Sequence, residues 1–264
     1  MIYSNLNIKI VNDLFLISYS TSILITLIGS GITLRTGYNI LKVGIIGGTG
    51  GMGQGFAVRW AIHHEVIIGS RDIDKAKTAA ALYTNAASST YGTGMKGNIT
   101  GSDNISLASV VDVLILSIPY DSIQYTCSSI SGKIRSDCIV VSPIVPMNRT
   151  ESGFVYVPFE ETKRSAAALV AENLPNNIIV SAFHTISEVK LKNINESLDS
   201  DTFVCCNDQN VLAVLNTLIS EISGLRTIYL GPLSLSYLAE ALTPMILNAS
   251  KRNKIKHPGI KLVS

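Results

Sequence analysis

The sequence predicts an α/β protein: a doubly wound parallel sheet followed by a smaller C-terminal α/β domain. Three observations predict it. Short apolar runs recur at 42–47, 65–69, 111–118 and 139–143, the pattern of strands buried on both faces. The first run leads straight into a six-residue glycine loop and then a helical stretch. The chain has 264 residues, 47% of them apolar, which is ample for a large core.

The same arithmetic excludes several classes. Twenty-one Lys and Arg against 19 Asp and Glu give a net charge of +2, no electrostatic footprint for nucleic acid. Cys127, Cys138, Cys205 and Cys206 make no CxxC pair and no metal spacing, so they read as small buried residues in a reduced, cytoplasmic protein.

Residues 1–40 stand apart as an N-terminal extension. Residues 14–34 hold no charge at all; 12 are large and apolar, seven are Ser or Thr, and two are Gly. Three readings compete: a single membrane-anchoring helix, long enough to cross a bilayer; a loosely packed extension; or a segment lying ahead of the natural start at Leu41. The third is favoured, because the first domain begins at Leu41 and Met52 falls inside the glycine loop. The basic n-region and cleavage site of a secretory signal are missing.

Residues 41–150 form the first domain. The run 42–47 is a buried strand, and Gly48-Thr-Gly-Gly-Met-Gly53 fits G-x-G-x-x-G. A helix over 54–62 and a strand over 65–69 complete one βαβ unit, the context that makes this fingerprint a specific sign of a Rossmann-type dinucleotide site. Glycines there allow a tight turn and close approach to a diphosphate, which the helix N-terminus then faces.

The end of the second strand selects the dinucleotide. A site for NAD carries an acid there for the ribose 2′-OH. This chain has Ser70 and Arg71, with Lys75 a helical turn on and Asp72 only after the strand. A hydroxyl, a guanidinium and an ammonium suit a 2′-phosphate, so NADP is expected; the alternative is a solvated, mixed-charge helix start. A helix over 76–87 and a polar loop over 88–106 follow. Ile118 and Val145, near the ends of the next two strands, either line a ligand groove or pack as ordinary core.

In residues 151–264 the pattern gives helices over 162–173, 211–222 and 235–250, the last with Pro244 inside it, and strands over 178–183, 202–206 and 227–230. The tail 251–261 is basic. His184 follows a buried strand directly; it either faces a ligand or is a core histidine satisfied by backbone. Zinc spacing, paired carboxylates and a Ser-His-Asp order are all missing.

These residues resemble the NADPH-dependent coenzyme F420 reductases (F420H2:NADP oxidoreductases). The likeness runs from about 41 to 262 through 47–53, 66–71, 93–96, 118–119, 141–146, 164–167, 181–186, 220–226, 231–234, 242–248 and 259–261. It implies hydride transfer between nicotinamide C4 and deazaflavin C5, with the protein supplying orientation and excluding water. It places the NADP phosphates on Thr49, Gly50, Gly51 and Met52, and the 2′-phosphate on Ser70, Arg71 and Lys75. It lines the NADP groove with Ile118, Ser122 and Val145, with Glu188 near its nicotinamide end. The deazaflavin falls between the halves, by His184, Ile186 and Pro258, and a homodimer is implied. Two departures stand out: Tyr120, where relatives often have Trp, and Ser187-Glu188, where they carry small apolar residues. The loop 88–106 is also longer than in relatives. The rival readings are a reductase of the pyrroline-carboxylate or hydroxyacid type, a membrane-anchored flavin-linked metal reductase, and a non-catalytic NADP-sensing module.

Overall fold

The computed structural model describes residues 8–11, 14–18, 22–28, 31–36, 40–157 and 165–263. It divides into two units, Met1–Ile40 and Leu41–Ser264. In the first, β1 (Ile8–Val11), β2 (Leu14–Ser18), β3 (Ser22–Ile28) and β4 (Gly31–Thr36) form an antiparallel sheet in sequence order. This corrects the single-helix reading of residues 14–34. The β-branched Ile and Thr that recur through the stretch favour extended backbone. No helix among the described residues is long and apolar enough to cross a membrane.

The second unit opens with β5 (Lys42–Ile46), α1 (Gly51–Trp60), β6 (Glu65–Ser70) and α2 (Ile73–Tyr91). Then come β7 (Asn98–Asp103), α3 (Asn104–Ala108), β8 (Val113–Leu116), α4 (Ile123–Ile130) and β9 (Ile139–Ser142). A hairpin of β10 (Met147–Thr150) and β11 (Gly153–Tyr156) leads to α5 (Ala166–Asn173), β12 (Ile178–Ser181) and α6 (Glu188–Lys192). The chain closes with β13 (Ser200–Cys206), α7 (Leu212–Ser220), β14 (Leu225–Gly231) and α8 (Ser236–Asn253). The expected helix over 162–173 lies partly outside the described residues.

Eight strands make one sheet, in the order β14-β13-β12-β9-β8-β5-β6-β7. It is parallel except where β13 meets β12. Alternation along each strand builds the two faces. Val43, Ile45, Val113, Ile115, Val141 and Val180 pack on one side with residues of α1, α2 and α7. Ile46, Leu114, Leu116, Val140 and Ile179 pack on the other with residues of α3, α4 and α5. The sheet continues across residue 150, because β9 pairs with β12 in parallel register, Ile139 opposite Ile178 and Val141 opposite Val180.

One expectation fails: residues 88–106 are not a loop. They carry the end of α2, then β7 and the start of α3. In β7 only Ile99 is buried, so this edge strand shows no apolar run. The four cysteines are free and buried, as expected.

Candidate functional site

The glycine loop sits where the strand order reverses, between the carboxyl ends of the parallel neighbours β5 and β8, the usual ligand crevice of such sheets. Gly47 has φ 74°, and a Cβ there would strike the carbonyl of Ser117 in the loop after β8. The turn is therefore closed to other residues. Ile118 touches the same point, 3.2 Å from that Cβ position, so it borders the loop. Gly48 donates its amide to the carbonyls of Ile45 (3.1 Å) and Gly69 (3.3 Å), tying the loop to both strands. The Tyr83 hydroxyl donates to the carbonyl of Gly48 at 3.3 Å from α2. Nothing local in the sequence signals that support.

Thr49 and Gly50 are exposed, and α1 starts at Gly51 with no side-chain cap. Its first amides have no intrahelical acceptor and suit an anion. This geometry fits a dinucleotide diphosphate. A cavity of about 390 Å³ opens beside the loop, lined by Thr49, Lys75, Thr78, Leu82 and Tyr83 among others.

Ser70, Arg71 and Lys75 all gather at the carboxyl end of β6, and Arg71 and Lys75 are exposed. Asp72 is engaged elsewhere. Its Oδ1 accepts the amides of Asp74 (3.0 Å) and Lys75 (3.2 Å) as the N-cap of α2, and its Oδ2 lies 3.8 Å from Lys75 Nζ. The acid nearest the strand end is thus spent on capping. Ser122 and Val145 are half-buried, beyond the ends of β8 and β9 respectively.

The second part of the site starts from a strained turn. Phe183 has φ 70°, unusual for a bulky residue. Its ring holds the turn by packing edge-on to Phe56 (5.0 Å between centroids) and Trp60 (6.1 Å). Its amide donates to Thr202 Oγ1 at 2.8 Å. This turn delivers His184 into a cleft of about 230 Å³ lined also by Ile186, Glu188, Thr243, His257 and Pro258. Four residues expected from the sequence (His184, Ile186, Glu188 and Pro258) therefore share one cleft; Thr243 and His257 were not foreseen.

His184 is 7% exposed, with Nε2 3.4 Å from Ser181 Oγ. Burial pushes its pKa down to about 4, against a backbone hydrogen bond of Ser142 that raises it. The imidazole is neutral at pH 7, which suits a positioning group and not a proton donor. Thr243 donates to the His184 carbonyl at 2.8 Å, linking α8 to the turn.

The C-terminal tail closes the cleft because it is tied to β13. Asp201 takes a two-pronged contact from Arg226 (2.8 and 2.9 Å) and accepts the Leu262 amide at 2.7 Å. Its own amide donates to the Ile260 carbonyl at 2.7 Å, and Lys261 pairs with Asp199. Desolvation opposes the Arg226 hydrogen bond, but the net effect holds the Asp201 carboxyl below its ordinary range.

Helix α6 joins the two parts. Gly51 and Gly55, one turn apart on α1, let it lie close: a Cβ on Gly51 would meet the Glu188 carboxylate, and one on Gly55 would come within 2.6 Å of Leu191. Arg59 fixes the far end of α6. It is 2% exposed and donates to the carbonyls of Leu191 (2.9 Å), Lys190 (3.1 Å), Asn193 (2.9 Å) and Glu196 (3.1 Å).

Comparison with known proteins agrees with this geometry. Residues 42–146 match the family model described as NADP oxidoreductase, coenzyme F420-dependent. The chain is 31% identical over 228 residues to the F420-dependent NADP reductase of Methanothermobacter thermautotrophicus, covering 85% of this chain and 96% of that one. It is 32% identical over 224 residues to the F420-dependent NADP reductase of Methanocaldococcus jannaschii, covering 85% and 99%. Among solved structures, a protein of Arthrobacter sp. FB24, given the provisional description f420 dependent nadp-reductase, superposes with a TM-score of 0.67 at 18% identity, covering 85% of this chain and all of that one. The Sinorhizobium meliloti protein SMa0349 superposes with a TM-score of 0.57 at 20% identity, covering 84% and 94%. At those identities the two structures bear on the fold.

Proposed function

Because the chain belongs to the family of F420-dependent NADP reductases, we propose that it is an oxidoreductase passing a hydride between NADP(H) and the deazaflavin coenzyme F420. One observation carries the reading beyond the family: Glu188 touches Gly51 of the dinucleotide loop and also lines the second cleft. The two ligand sites therefore meet. When bound, the two cofactors supply the chemistry themselves, a hydride moving between nicotinamide C4 and deazaflavin C5.

The residues do the placing. Thr49, Gly50, Gly51 and Met52 take the diphosphate at the start of α1. Ser70, Arg71 and Lys75 take the 2′-phosphate, while Ile118, Ser122 and Val145 wall the groove toward the nicotinamide. His184, Ile186 and Pro258 bound the deazaflavin cleft, with His184 neutral and acting by position. Residues 41–150 thus serve NADP, and 151–264 complete the cleft from the same sheet. Free, buried cysteines suit a reducing compartment, and we read the enzyme as cytoplasmic. We read it also as a homodimer. Its face is an apolar stripe on α8, with Leu238 and Met245 exposed and Leu242 between them. Light scattering of the purified protein reads that state.

The test of function is turnover. Purified protein should oxidise NADPH with coenzyme F420 and leave FMN unreduced. Binding of NADPH without turnover would turn the reading into that of a sensing module.

A further inference from the structure

We propose that Glu188 is a built-in competitor of the dinucleotide's diphosphate, so that this one side chain sets how tightly the chain holds NADP(H). The proposal rests on the reading of the glycine loop as the NADP site.

The Glu188 carboxylate lies against Gly51, the first residue of α1. A helix N-terminus attracts negative charge, and here the chain presents its own. The diphosphate would sit at the same helix start, so carboxylate and diphosphate meet as like charges in one place. Glu188 cannot retreat by moving its backbone. Helix α6 is pinned by the four carbonyl contacts of Arg59 and by Leu191 against Gly55. The side chain can only rotate. The Oε1 that lies against Gly51 is also 3.2 Å from Lys192 Nζ, a turn along α6, which offsets part of its charge. The side chains of Lys192 and Glu188 are 37% and 51% exposed, so that rotation stays open to water. Binding then means turning the carboxylate away from Gly51 and into solvent.

The experiment measures dissociation constants by calorimetry for wild type, Glu188→Gln and Lys192→Met. The ligands are NADP⁺, NADPH and 2′-AMP, which has the 2′-phosphate but no diphosphate. Glu188→Gln should bind NADP⁺ and NADPH about tenfold tighter, the size of one relieved like-charge contact in a partly exposed site. Its 2′-AMP affinity should stay within twofold. Lys192→Met should bind both dinucleotides about threefold weaker, having lost the cation that offsets the carboxylate beside Gly51. Unchanged or weaker NADP⁺ binding by Glu188→Gln overturns the proposal. So does equal tightening of 2′-AMP, which would mean the whole site had altered. If wild type binds 2′-AMP and NADP⁺ not at all, the loop reading itself has failed.

Discussion

Replacing Glu240 by Gln should make stability climb between pH 4.5 and 6.5, and replacing His184 by Gln should make it fall over that window. Glu240 has no exposed surface, and its carboxylate faces the Ala166 amide (2.9 Å), the Ala167 amide (3.1 Å) and the Tyr156 hydroxyl (2.8 Å). Desolvation raises its pKa from 4.5 to about 7, against those three hydrogen bonds. The folded chain thus keeps a proton that the unfolded chain releases. The resulting stability is full below 4.5 and is lost as pH rises through 7. His184 does the reverse, since burial lowers it from 6.5 to about 4. Its contribution is present above 6.5 and is lost as pH falls toward 4. Each group changes stability by about 1.4 kcal/mol per pH unit, so over the shared two units each is worth about 3 kcal/mol, with opposite signs. Wild type should therefore be nearly flat across the window, and each variant should reveal the slope of the group that remains. Asp103, Asp199 and Asp201 are all lowered from 3.8 and act below this range. Urea unfolding at four pH values reads the slopes. The slope and not the level is the measurement, because the Gln amide must face an α5 amide whatever the pH. Variants that both follow the wild-type profile would refute the opposition.

Arg71→Ala should weaken NADPH about 100-fold while changing NADH less than threefold, since only NADPH offers the 2′-phosphate to a guanidinium; equal losses would remove the 2′-phosphate role. Arg59→Met should lower stability by about 3 kcal/mol, because four carbonyls lose a charged donor and only the more open ones rehydrate. A melting temperature about 10 °C lower would show it.

What could be read from the sequence was what repeats along it. Buried parallel strands announce themselves as apolar runs, so β5, β6, β8, β9 and β12 were visible, and the glycine spacing after β5 named the ligand class. The edge strand β7 was hidden because only Ile99 of its six residues is buried. The hairpin β10–β11 was hidden likewise, its strand Met147–Thr150 being mostly exposed. The site was legible wherever one strand end carries it, as at Ser70 and Arg71. It was not legible where distant segments meet. Arg59 reads as a polar residue on an amphipathic helix, and nothing near it announces carbonyls more than 130 residues away. Gly51 and Gly55 pass for parts of a phosphate loop and a helix, yet both are small because α6 lies on them.

That packing bears on the chemistry. Hydride transfer requires the two reacting carbons to meet within van der Waals reach. The loop after β5 and the turn after β12 sit three strands apart, about 14 Å at the usual spacing. A sheet alone would leave its two sites separated by that distance. The segment from the His184 turn through α6 crosses it, running back until Glu188 and Leu191 rest on α1. Two charged anchors hold the bridge and the cleft it borders: Arg59 under the end of α6, and Asp201 gripping Arg226 and the tail that carries Pro258. A chain built this way needs no acid or base at the reacting atoms. Its buried ionisable groups are accordingly spent on holding segments in register, and the half-exposed carboxylate at the junction, Glu188, acts on how the dinucleotide arrives and leaves.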